Sequence, residues 1–154
     1  MILHQLMLNE VLFFVQDEIQ DARFILPDPE THFYGDLQPG RRKEITPDLS
    51  VEHKDFVLAV ELERTQKNLL EYTGRMEFYR ESIYTHVLYV YASDNQRASL
   101  VKAAGRSRKF AFAHFNNPNR LATESWGPIS LNDWIKKVIS ISAVNAHTPK
   151  LLFS

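Results

Sequence analysis

Glu61-Leu62-Glu63 closes an apolar run, DFVLAVELE at 55–63. Read as a strand, that run sends successive side chains to opposite faces. Glu61 and Glu63 then share one face, their Cα atoms roughly 7 Å apart by strand rise. EITPDLSV at 44–51 reads as a second strand, with a short polar turn between the two that includes His53 and Lys54. Closing this hairpin around His53 and Lys54 sets Val51 opposite Phe56 and Asp48 opposite Ala59. Directly opposite residues share a face, so Asp48 projects with Glu61 and Glu63, about 7–8 Å from Glu61 along the diagonal. Carboxylates this close raise each other's pKa, and a protein that keeps them supplies a compensating cation. All-oxygen ligands suit Mg²⁺ or Mn²⁺. Lys67, four residues after Glu63, is within reach of the same pocket. Ordinary pairing of these acids with Arg64 and Lys67 is the alternative. Glu10 lies inside MLNEVLFFV, a segment patterned for burial. A carboxylate there needs a partner or a metal, which makes it a further candidate ligand.

The elements that must position these groups follow from periodicity. Residues 2–20 read as a helix on a stripe of Leu3, Met7, Val11, Phe14 and Ile19, widened by Leu6, Leu8 and Phe13. Residues 27–32 are turn-rich, and His32 to Leu37 reads as a first short strand ended by Gln38-Pro39-Gly40. The 55–63 run is apolar on both faces at its start, as a covered central strand is. Residues 66–83 read as a long helix with Leu69, Tyr72, Met76, Tyr79 and Ile83 on one stripe. THVLYVYA at 85–92 and KFAFAHF at 109–115 read as strands. Between them, 95–105 reads as a helix ended at Gly105. Asn116 to Asn119, with Pro118, reads as a turn. Residues 130–141 read as a last helix capped by Ser130, with Trp126 and Trp134 in the core nearby. The tail from Asn145 reads as loosely ordered. The order predicts one α/β domain over 1–144 with a C-terminal tail over 145–154. Its mixed central sheet, flanked by helices, is built as a meander followed by helical crossovers.

The 154 residues carry a net charge of −1, so no global field points to nucleic acid and any basic surface is local. With no cysteine, thiolate metal sites, disulfides and cysteine nucleophiles are excluded, which fits the cytoplasm. No apolar run reaches the roughly 20 residues that span a bilayer, and no basic n-region opens the chain. The six histidines lack HxxxH and HExxH spacing, so zinc is not expected. No nucleophile elbow, Walker loop or dinucleotide fingerprint appears.

Pro47-Asp48 followed by Glu61-Leu62-Glu63 resembles the PD-(D/E)XK nuclease superfamily, whose signature is Pro-Asp on one strand and acid-x-Lys on the next. Glu63 stands where the signature has lysine, as in several type II restriction enzymes, and Glu10 matches the first-helix glutamate of many members. A closer resemblance is to the replication-relaxation family of plasmids and mobile elements. It rests on PDLSVE at 47–52, LAVELERTQK at 58–67, YTGRMEFY at 72–79 and the stretch from His4 to Glu10, covering roughly residues 4–95. Members often carry a winged-helix DNA-binding domain upstream, which is not seen within these residues. The resemblance implies a restriction-endonuclease-like core (αβββαβ).

It further implies a metal-dependent DNA endonuclease or nicking protein. Asp48 and Glu61, with Glu10, are the expected ligands of Mg²⁺ or Mn²⁺. Glu63 is a ligand or orients the attacking water, and Lys67 steadies charge on phosphate. Gln96 to Asn116 holds no acidic residue but includes Arg106, Arg108 and Lys109. With Arg41, Arg42, Lys43 and Arg75 it forms the candidate DNA-binding set. The alternative is a catalytically inactive DNA-binding or scaffold protein. The expected partners are DNA and plasmid replication or mobilisation proteins, with a homodimer left open.

Overall fold

The computed structural model describes Asn9, Phe13, Gln16 and residues 22–25, 46–63, 65–121 and 129–147. Its elements are β1 (Arg23–Ile25), β2 (Leu49–His53), β3 (Phe56–Leu62), α1 (Leu69–Arg80), β4 (His86–Tyr91), α2 (Asp94–Ala104), β5 (Phe110–His114), β6 (Asn117–Leu121) and α3 (Leu131–His147). The strands form one sheet in chain order, β1 to β6. β1–β2, β2–β3 and β5–β6 are antiparallel, whereas β3–β4 and β4–β5 are parallel. The domain is therefore α/β with a mixed open sheet. Among the described residues no helix is long and apolar enough to cross a membrane.

Period-two alternation divides the core into two layers. Leu58, Val60, Leu62, Leu88, Val90, Ala111 and Ala113 face α3 through Leu131, Trp134, Ile135 and Val138. Ala59, Val87, Tyr89, Phe110 and Phe112 face α1 and α2 through Tyr72, Met76, Tyr79, Leu100 and Ala104. Both crossover helices lie on one face because β3, β4 and β5 advance across the sheet in one direction.

Local chemistry sets the element ends. The Asn68 side chain accepts from Glu71 N at 2.8 Å and starts α1 at Leu69, three residues after Gln66. Ser93 and Gln96 form a capping box on α2, and Gly105, at φ 61°, ends it. The Ser130 hydroxyl accepts from Asp133 N at 3.1 Å and caps α3, as its place in the sequence predicts.

Five expectations change. The hairpin turn is Lys54-Asp55, with Lys54 at φ 53°, so Val51 pairs with Leu58 and Ser50 with Ala59. The register moves by two residues, which keeps every side chain on its face. Arg23–Ile25, too short to show alternation, is a strand paired with β2. Asn117–Leu121 is a strand, not a turn, because an edge strand tolerates Pro118. α3 runs on through His147, so Asn145 to His147 is helical rather than loose. In the expected first helix, Asn9, Phe13 and Gln16 are helical, and Phe13 is 66% exposed instead of buried. Phe13 sits about 100° around a helix from Phe14, which puts it at the margin of the stripe. The rest of that helix, the expected strand at 32–37 and Trp126 lie outside the described residues.

His86 is buried against Phe56 (5.7 Å between ring centroids) and Trp134 (5.9 Å). Burial, with Lys109 adding repulsion, pushes its imidazole down to about 4. Below pH 6.5 the unfolded chain therefore takes up a proton that the folded chain refuses, so this contribution is intact above 6.5 and lost as pH falls towards 4. His86→Leu should remove a loss on the order of 2–3 kcal/mol between pH 6.5 and 4. Urea unfolding of both proteins across that window checks it, and parallel stability curves would contradict it.

Candidate functional site

The site lies on the α1 face of the sheet, at the carboxyl end of β3. Continuing the β2–β3 register past Leu49↔Val60 sets Asp48 directly opposite Glu61. Tyr89 on β4 is the register partner of Glu61 on the other side. The Glu63 amide continues the ladder to the Val90 carbonyl at 2.8 Å. Glu61 and Glu63 are 5% and 1% exposed, so both carboxyl groups have left bulk water.

Each buried acid has partners. Tyr79 Oη donates to Glu61 Oε1. Lys67 Nζ donates to Glu63 Oε2 at 2.6 Å, and Tyr72 Oη does so at 3.4 Å. Lys67 also lies over the Tyr72 ring, 5.8 Å from its centroid. The Leu62 amide donates to Asp48 Oδ2 at 2.8 Å, so the aspartate takes a strand-edge donor just where the β2 ladder begins. Burial pushes the Glu61 carboxyl up to about 8. The Tyr79 hydrogen bond and Arg75 oppose that rise, and Asp48 and Glu63 add to it. Burial likewise raises Tyr79, Tyr72 and Tyr89 above the usual phenol range, with the neighbouring glutamates contributing.

The fold thus brings Asp48, Glu61, Glu63 and Lys67 together and adds groups that the sequence pattern assigned elsewhere. Tyr72 and Tyr79 were read only as a core stripe, yet their hydroxyls bind the two glutamates. The signal was there: tyrosine, rather than leucine or phenylalanine, at buried helix positions needs a polar partner. Arg75, between them on α1, is close enough to bear on Glu61, Tyr72 and Tyr89. Tyr89 Oη is buried with no hydrogen-bond partner among the described residues.

Hard oxygen donors fit a divalent cation in kind. Among the described residues, however, no three His, Asp or Glu groups are already arranged around one point. Glu61 faces Tyr79 and Glu63 faces Lys67 instead, so an ion held by Asp48 and Glu61 has to displace the Glu61 proton. Glu10 lies outside the described residues, as do Arg41, Arg42, Lys43 and Arg64.

The remaining basic residues divide. Arg97 and Lys102 are exposed on α2, and Arg106 and Arg108 are exposed in the turn after it. That turn precedes β5 at the amino end of the parallel strands, opposite to the acids. Lys109 is half-buried and donates to the Tyr79 carbonyl near the end of α1, so its charge serves a helix terminus. Burial, and then Arg80, lower its ammonium pKa. No protein-family model matches the chain, and neither the curated proteins nor the solved structures provide a match to it.

Two outcomes follow. Glu61 binds a proton in the folded chain between pH 4.5 and about 8 that the unfolded chain releases, so stability falls as pH rises through that window. Glu61→Gln should remove that slope and be the more stable protein at pH 9, by a few kcal/mol at most. Thermal melts from pH 4 to 9 test it, and a variant that tracks wild type throughout would refute it. Lys109→Met should lower stability by about 1 kcal/mol through the lost carbonyl bond, with no DNA present. An unchanged urea midpoint would return Lys109 to the set of available surface cations.

Proposed function

We propose that this chain is a metal-dependent DNA endonuclease or nicking domain with a restriction-endonuclease-like core, acting on plasmid or mobile-element DNA. The observation that carries the reading is the placement of Asp48 opposite Glu61, with Glu63 two residues further on the same buried face. Asp48 and Glu61 are the residues that would hold Mg²⁺ or Mn²⁺. Bound there, such an ion supplies Lewis-acid polarisation of a phosphate and a more acidic water.

Glu63 orients the attacking water, and Lys67, 2.6 Å from it, offers the cation that steadies charge growing on the phosphate oxygens. Water adds to phosphorus and gives up a proton to solvent, the P–O bond to the leaving sugar breaks, and the departing alkoxide takes a proton from solvent. The exposed Arg97, Lys102, Arg106 and Arg108 run along α2 and past its end, and offer a track for the strand.

A second reading has its own observation. Tyr79 on Glu61 and Lys67 on Glu63 satisfy the acids without a metal. That favours a catalytically inactive DNA-binding or scaffold protein working with plasmid replication or mobilisation proteins.

Supercoiled plasmid and single-stranded DNA incubated with Mg²⁺, Mn²⁺ or EDTA separate the two. The nuclease reading expects nicking with metal only, and its loss in Asp48→Asn and Glu61→Gln. It also expects wild type to melt roughly 5–10 °C higher in metal at a hundredfold excess over Kd, a shift both variants lack. No nicking, no metal shift and a lower Tm in both variants would leave the binding protein as the account.

A further inference from the structure

Arg75 differs from the other cations around the acids. Lys67 is paired with Glu63, Lys109 binds the Tyr79 carbonyl, and Arg80 donates to the Ala103 and Ala104 carbonyls while lying over the Phe110 ring. Arg75 makes no hydrogen bond or ion pair with the described residues, although it is only half-exposed. Its place on α1 puts it beside the acids. It follows Tyr72 by three positions and precedes Tyr79 by four, and those two hydroxyls bind Glu63 and Glu61. Residues at these spacings are neighbours on one helix face.

A guanidinium has five donors in a planar fork, matched to two oxygens of a carboxylate or phosphate. Here one lies close enough to bear on Glu61 and hydrogen-bonds none of the three acids, which accept from Tyr79 at Glu61 Oε1, from Lys67 and Tyr72 at Glu63 Oε2, and from the Leu62 amide at Asp48 Oδ2. A second buried donor, Tyr89 Oη, is also without a partner on the same sheet face, at the register position opposite Glu61. Unsatisfied donors at a partly dry site call for an anion from outside.

We propose that Arg75 is the substrate-phosphate ligand of the acid site, its guanidinium gripping two non-bridging oxygens of a DNA phosphodiester and holding it against Asp48, Glu61 and Glu63. This rests on the reading of the chain as a DNA phosphodiesterase. It turns Arg75 from one of several surface contacts into a positioning group within the site. Arg75 is the fork that the acid cluster itself lacks, since Lys67 is a point charge and cannot grip two oxygens in one plane.

The test is titration with a 5′-phosphorylated thymidine dinucleotide in Ca²⁺, which stands in for Mg²⁺ without turnover, alongside plasmid nicking in Mg²⁺. Arg75→Ala should weaken dinucleotide binding by about ten- to a hundredfold, the worth of one or two charge-assisted bonds. Arg75→Lys should fall in between, because it keeps the charge and loses the fork. Lys54→Gln, in the hairpin turn at the far end of β2 and β3, should bind as wild type does. The metal-induced Tm shift should survive in Arg75→Ala, which also reports that the variant is folded. Equal binding by wild type and Arg75→Ala, or no binding by wild type, overturns the assignment. If wild type binds the dinucleotide through Arg75 but nicks nothing, the phosphate site stands and catalysis fails. If Arg75→Ala nicks with unchanged kcat and KM, catalysis stands and the Arg75 assignment fails.

Discussion

Two carboxyl groups buried under one helix constrain the whole molecule. Glu61 and Glu63 end the strand at the middle of the sheet, where both faces are covered. Taking such groups out of water costs several kcal/mol each unless partners replace the lost hydration. α1 supplies those partners from one stripe, Tyr72 and Tyr79, and the link before it supplies Lys67. The pitch of α1, its start at Asn68 and its angle on the sheet are therefore tied to where β3 ends. A turn more or less of helix would leave a buried carboxyl without its hydroxyl.

The antiparallel hairpin and the parallel crossovers then decide what else can meet these acids. Because β2 returns alongside β3, Asp48 arrives opposite Glu61 across one ladder rung. Because β4 runs parallel to β3, Tyr89 arrives on the other side and the carboxyl ends of both strands open the same way. Open α/β sheets bind ligands at that end. The same topology sends the turn after α2 to the amino end, so Arg106 and Arg108 stand at the opposite end of the strands from the acids. Arg97 and Lys102, exposed on α2, lie between the two ends.

Cations bound to backbone carbonyls show how the acid site is joined to the core. The Lys109 ammonium binds the Tyr79 carbonyl, one residue before the end of α1, and Arg80 ties α1 to the last carbonyls of α2. These contacts lock the two crossover helices together at the end away from the acids. The helix that carries Tyr72, Arg75 and Tyr79 is thereby anchored at its far end, while its first turn, next to Glu63, stays open to solvent at Leu70.

Much of this was legible in residue order alone. Alternation determined that Glu61 and Glu63 share a face, and Asp48 kept its place beside them although the turn moved from His53-Lys54 to Lys54-Asp55. A two-residue slip preserves side-chain parity, which is why the face was readable and the rung was not. The cap at Ser130 and the stop at Gly105 were equally local, a side chain and a φ angle each acting within one turn, whereas only the structure set the helix starts at the Asn68 and Ser93 caps. Short edge strands escaped notice because three residues carry no period and Pro118 reads as a turn until its free edge is known. Tertiary structure alone decided which hydroxyls bind the acids, that Lys109 is engaged at a helix end, and that Arg75 lies near enough to bear on Glu61. Those facts depend on the packing of α1 against β3, a contact between segments whose separation along the chain says nothing of their distance in space.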